Sequence, residues 1–192
     1  MTPNALKKPQ AHRYFFALLP DAVTARRIHA FAERTLGEQR LMAIERLHMT
    51  LAISEDYDAP QPLLLDALLR AGATVAAAPV ELVLDELSIS RYTAALRPAH
   101  RLKPLHALQA EIDGAVARQG VALREGYHFS PHLTLRYHGG DLVHRPIFGF
   151  RWVAGEFVLI ESFVGLSHYD VHGRWPLRAP EDPQGSLFPP LI

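Results

Sequence analysis

The chain has 192 residues, with 20 Lys and Arg, 20 Asp and Glu, 11 His and no Cys. That length fits one domain or two small lobes sharing a core, and a hydrophobic content of 48% excludes a largely disordered chain. The missing Cys excludes a disulfide framework, a thiolate metal site and a Cys nucleophile, and a formal net charge of zero argues against broad electrostatic coating of nucleic acid while leaving room for a small phosphate pocket.

Residues 1–12 carry Lys7 and Lys8 but no apolar run, and read as a flexible polar tail rather than a secretory signal. Tyr14–Leu19 is a short aromatic-rich strand. Pro20 and Asp21 open a helix from Ala22 to about Leu36, with Asp21 as N-cap. Leu47–Ser54 reads as a strand, and Pro62 to about Thr74 as a helix. Val80–Ser90 and Thr93–Arg97 form a hairpin. Leu102–Gln119 is helical, since Leu105, Leu108, Ile112 and Val116 recur at helical spacing and Gly120 stops it. His128–Tyr137 contains a strand, and Phe157–Phe163 and Val171–Pro176 are the last two. Residues 179–192, with Pro180, Pro183, Pro189 and Pro190, form a Pro-rich tail. Helices and strands intermix without a Gly-rich phosphate loop after the first strand, which favours an α+β fold over 13–178. No window approaches the roughly 18 apolar residues of a membrane span, so a cytoplasmic monomer without a membrane partner is expected.

One tetrapeptide repeats. His48-Met49-Thr50-Leu51 recurs as His132-Leu133-Thr134-Leu135, and the chain contains no other His-x-Thr. Side chains at i and i+2 share a strand face, so His48 projects with Thr50, and His132 with Thr134. If the two strands face each other, two imidazoles and two hydroxyls meet in one cleft. Paired imidazoles supply a base and an acid, and the hydroxyls donate to the non-bridging oxygens of a phosphate. The competing use of such histidines is a zinc site. No carboxylate completes either motif, so no metal and no other cofactor is expected.

These residues make the chain resemble the 2H phosphoesterase superfamily, and within it the bacterial RNA 2',3'-cyclic phosphodiesterases, also described as 2'-5' RNA ligases. The likeness runs from Arg13 to about Leu177. Besides the two motifs it rests on Tyr14–Asp21, on Phe129-Ser130-Pro131 and on the closing segment Tyr169–Leu177. The resemblance implies a bilobal fold of two pseudo-symmetric lobes with antiparallel sheets around a central cleft. It implies metal-independent hydrolysis of RNA 2',3'-cyclic phosphate ends to a 2'-phosphate. His48 and His132 then match the catalytic histidines, and Thr50 and Thr134 the phosphate-binding threonines. By analogy His132 is the base on water and His48 the acid to O3'. The alternatives are a 2H phosphoesterase acting on a small nucleotide or 2'-5' linkage, and a non-catalytic RNA-end binding module.

Many relatives carry an Arg five residues after the second His, where this chain has Tyr137. Simple alternation puts His132, Thr134 and Arg136 on one face, with Leu133, Leu135 and Tyr137 on the other. Arg136 is therefore expected to take over the substrate contact. Tyr127 and Phe129 are candidates to stack on a base, or to pack at the cleft rim. Arg91 is a candidate contact from the hairpin turn, or a solvated turn residue. His128, His138, His144, His168 and His172 read as loop-borne or surface residues without a role. Arg174 and Trp175 read as structural.

Overall fold

A computed structural model describes residues 11–178. The elements in chain order are β1 (Ala11–Leu18), α1 (Ala22–Leu36), a 3-10 turn (Ile44–Arg46), β2 (Met49–Tyr57), α2 (Pro62–Thr74), β3 (Val80–Ile89), β4 (Thr93–Arg97), α3 (Lys103–Arg118), β5 (Leu133–Tyr137), β6 (Val143–Ala154), β7 (Glu156–Val164) and β8 (His168–Pro176). The tails expected over 1–12 and 179–192 lie outside the described residues, with one correction. Ala11 and His12 belong to β1, where His12 is buried and its Nδ1 lies 2.6 Å from Glu161 Oε1.

The helices begin where their side chains dictate. Asp21 accepts from the amides of Val23 and Thr24, satisfying two of the free N–H groups at the start of α1. α2 and α3 each carry Pro in the first turn, where the missing N–H costs no bond. α3 buries Leu105, Leu108, Ile112 and Val116 as one stripe.

The strands form two four-stranded antiparallel sheets, ordered β2-β1-β7-β8 and β5-β4-β3-β6. The fold is α+β, and each His-x-Thr strand lies at one sheet edge. One continuous core takes Phe16, Leu18, Met49 and Leu51 from the first sheet, and Leu84, Leu96, Leu133 and Leu135 from the second. Phe15, Ala17, Val158 and Ile160 form a second apolar group on the other face of the first sheet.

The two halves superimpose in register. Leu18 pairs with Met49 and Ala17 with Thr50; Leu96 pairs with Leu133 and Ala95 with Thr134. Beyond each Thr the register slips by one residue, at Leu51 in β2 and Leu135 in β5. Each motif strand thus carries a β-bulge at the same place. The chain leading into each motif is tied to the other motif's strand: the Met42 amide donates to the Leu135 carbonyl at 2.7 Å, and the Arg124 amide to the Ile53 carbonyl at 2.9 Å.

The strand Val143–Ala154 was not expected. Pro146 and Gly149 interrupt its pattern, and its first half is largely exposed, so alternation is lost there. β8 likewise begins at His168, three residues before the expected Val171, and His144, His168 and His172 lie on strands rather than loops. Trp175 is structural as expected. Its indole stacks on Phe157 and fills the space beside Gly72 of α2 and Gly173, where an added Cβ would lie 2.5 Å and 2.4 Å from the ring.

Candidate active site

Both histidines stand at the mouth of a motif strand, directly before β2 and β5. Each is held the same way. His48 Nδ1 lies 2.7 Å from the carbonyl of Arg46, and His132 Nδ1 lies 2.7 Å from the carbonyl of Ser130. A carbonyl only accepts, so Nδ1 carries the proton in both rings and Nε2 is the free nitrogen. Burial pulls the His48 pKa down to about 4, against the raising effect of the Arg46 carbonyl. The charges of His132 and Arg46 lower it further. His132 is also lowered, first by burial and then by the charge of Arg97, with the Ser130 carbonyl opposing.

Thr50 faces Ala17 and Thr134 faces Ala95 across their strand pairs. Directly opposed residues share a face, so each hydroxyl looks out past a methyl group rather than a bulky side chain. Among the described residues neither hydroxyl is taken up by a protein hydrogen bond.

The bulge at Leu135 redirects the end of β5. Leu135 remains in the core beside Leu133, and Arg136 leaves the face of Thr134. Its Nη1 donates to the Leu36 carbonyl at 2.9 Å, at the C-terminal end of α1. The face expected for Arg136 by simple alternation is therefore corrected. Tyr137 instead lines a cavity of about 260 Å³ with Arg13, Arg46, Ser162 and Tyr169.

A neighbouring cavity of about 220 Å³ touches His48 itself, with Leu19, Arg46, Ile160, Tyr169 and Val171 in its wall. The two cavities share Arg46, Ser167 and Tyr169. The Tyr169 ring meets the His48 ring edge-on at 5.6 Å, and the Arg46 guanidinium lies 5.4 Å from its centre. Phe15 packs against both rings, 4.9 Å from His48 and 5.7 Å from Tyr169.

The remaining candidates lie apart from this group. Phe129 packs on the core and against His106 of α3 at 5.1 Å. Tyr127 is half-buried, its phenol pushed up to about 12 by burial and then by the charge of Asp113 in α3. Arg91 sits in the β3–β4 turn over Tyr92 and borders Gly140 and Leu142.

The sequence does not single out Arg46 or Arg97, and it marks Tyr169 only as the first residue of the closing segment. A signal for Arg97 existed: Ala17-Leu18-Leu19-Pro20 recurs as Ala95-Leu96-Arg97-Pro98, each placing its Ala opposite a motif Thr. Arg46 carries no such mark.

A two-lobed α+β fold with a duplicated His-x-Thr strand defines a 2H-type phosphoesterase. Residues 19–148 match the model of the 2'-5' RNA ligase superfamily, and the chain belongs to that family. No curated protein matches the sequence. Among solved structures, E. coli LigT complexed with 3'-AMP is 25% identical, with a TM-score of 0.70 over 88% of this chain and 98% of that one. LigT in apo form gives 25% identity and a TM-score of 0.71 over 88% and 99%. TT0787 of Thermus thermophilus, at 21% identity and a TM-score of 0.63 over 86% and 98%, shares the fold.

Proposed function

We propose that the protein hydrolyses RNA 2',3'-cyclic phosphate ends to 2'-phosphates through His48 and His132, without a metal. The observation that carries this reading is the matched anchoring of the two imidazoles, each Nδ1 on the carbonyl two residues back and each Nε2 free. Among the described residues no three metal-ligating side chains converge. One imidazole takes a proton from water as its oxygen attacks phosphorus. The P–O3' bond breaks, and the other imidazole delivers its proton to O3'. The Thr50 and Thr134 hydroxyls hold the non-bridging oxygens.

The family analogy makes His132 the base. The electrostatics of the free protein favour the reverse, because half-buried His48 is held at about 4, and a base must start neutral. A phosphodiester with an activated leaving group separates the two. Such a substrate needs no acid, so replacement of the acid histidine is rescued and replacement of the base is not.

The deciding experiment is incubation with an oligonucleotide ending in a 2',3'-cyclic phosphate, in EDTA, with end-group analysis. A 2'-phosphate product is expected. Loss of activity in EDTA that zinc or manganese restores overturns the metal-free reading, and a 3'-phosphate product overturns the leaving-group assignment. A second reading, a mononucleotide substrate, is favoured by the 3'-AMP complex of E. coli LigT and by the modest cavity at His48.

A further inference from the structure

The surroundings of His132 differ from those of His48 in one respect that the chemistry at the two histidines does not use. A cavity of about 200 Å³ opens beside the second motif, lined by Arg97, His100, Arg101, His106, Ser130 and Pro131 among others. No carboxylate lines it. Two acids of β3 near Arg97 are committed elsewhere. Asp85 accepts from the Ala99 amide at 2.7 Å, and Glu86, opposite Arg97 in the sheet, pairs with His144. Arg101 is exposed and forms no salt bridge among the described residues, so its charge faces outward.

This cavity is built into the catalytic frame. Arg97 Nη1 donates to Ser130 Oγ at 2.8 Å, while the carbonyl of the same Ser130 holds His132 Nδ1 at 2.7 Å. Ser130 lies two residues from His132, at most about 7 Å of extended chain. The cavity therefore sits one short step from the atom that does chemistry. Across the cleft the register-equivalent of Arg97 is Leu19, and the wall there is Leu19, Ile160, Tyr169 and Val171, with one arginine, Arg46, over the Tyr169 ring and a carboxylate, Glu45, to offset its charge. That side offers an aromatic face and aliphatic contact, suited to a nucleoside. The His132 side offers concentrated positive charge, suited to a second phosphate.

Resting on the function proposed above, we infer that the Arg97–Arg101 cavity binds the phosphodiester next to the terminal cyclic phosphate. The preferred substrate is then an RNA strand of at least two nucleotides, not a mononucleotide.

Binding and turnover test this separately. The wild-type protein should bind a dinucleotide with a 2'-phosphate end at least about tenfold more tightly than a 2'-phosphorylated mononucleoside. Arg101→Ala should remove most of that advantage and reduce the salt slope of log Kd by about 0.7. A dinucleotide whose bridging phosphate is a neutral methylphosphonate should lose the advantage in the wild-type protein. Equal affinity for the two ligands, an advantage that survives the methylphosphonate, or an unchanged slope in Arg101→Ala overturns the second-phosphate site. Turnover of a dinucleotide ending in a 2',3'-cyclic phosphate, at saturating concentration, judges the chemistry alone. If it is absent while the binding advantage stands, the hydrolytic reading falls and the phosphate site remains.

Discussion

In the first half of the molecule the motif strand begins beside Arg46 and Leu19. In the second half the same register positions hold Ser130 and Arg97. Each histidine thus has one arginine whose charge opposes its protonation, but Arg46 ends the 3-10 turn before β2 and Arg97 ends β4. Backbone features are duplicated: the anchoring carbonyl, the Ala opposite Thr, and the bulge after Thr. Side chains around them are not. Duplication supplies what the proposed reaction needs, two equivalent proton-transfer groups. Divergence around it shapes what each side of the cleft holds.

The largest test of the equivalence is removal of an imidazole. His48→Ala and His132→Ala should each lower kcat at least about 10²-fold in initial-rate assays. The double variant should cost far less than the product of the two, because the histidines act as a unit. Full multiplicativity breaks the pairing.

The halves should also differ in acid. The His48 pKa falls from 6.5 to about 4 on folding, so the unfolded chain binds the proton first as pH drops. Stability is whole above pH 6.5 and is lost as pH falls towards 4, by up to about 3 kcal/mol. Urea unfolding at stepped pH measures this, and His48→Gln should flatten the curve. For the same reason the two limbs of the kcat/KM profile should be displaced towards acid from the ordinary histidine range.

Thr50→Ala and Thr134→Ala should each cost about 1–3 kcal/mol of transition-state stabilisation, read from kcat/KM. Equal losses mean a symmetric grip on the phosphate, and a twofold or greater inequality sharpens the contrast between the halves. The smallest effect is expected at Arg136, the bulge-shifted counterpart of Ala52. Arg136→Ala should cost about 1 kcal/mol in stability through its bond to Leu36, with kcat/KM nearly unchanged. A tenfold fall in kcat/KM returns that side chain to the substrate.

The helices and the paired motifs were legible because each rests on local spacing: the apolar stripe of α3, the Asp21 cap, and the i, i+2 relation of His and Thr. β6 was hidden by Pro146 and Gly149, which its edge position tolerates. The face of Arg136 was hidden because a bulge is a property of a strand pair, and a single strand read alone alternates without interruption. Tyr169 meets His48 only through tertiary packing, and the Arg46 side chain takes its place over the Tyr169 ring the same way. Arg97 was within reach, since the Ala-Leu-x-Pro repeat marks the strand that faces each motif.

The crossed amide bonds, Met42 to Leu135 and Arg124 to Ile53, have a mechanical meaning. Each jaw of the cleft is stitched to the other by the very chain that delivers a histidine. Widening the gap requires breaking both stitches at once. Under the proposed reaction, the reacting group then meets two imidazoles whose placement the fold has set before any ligand arrives.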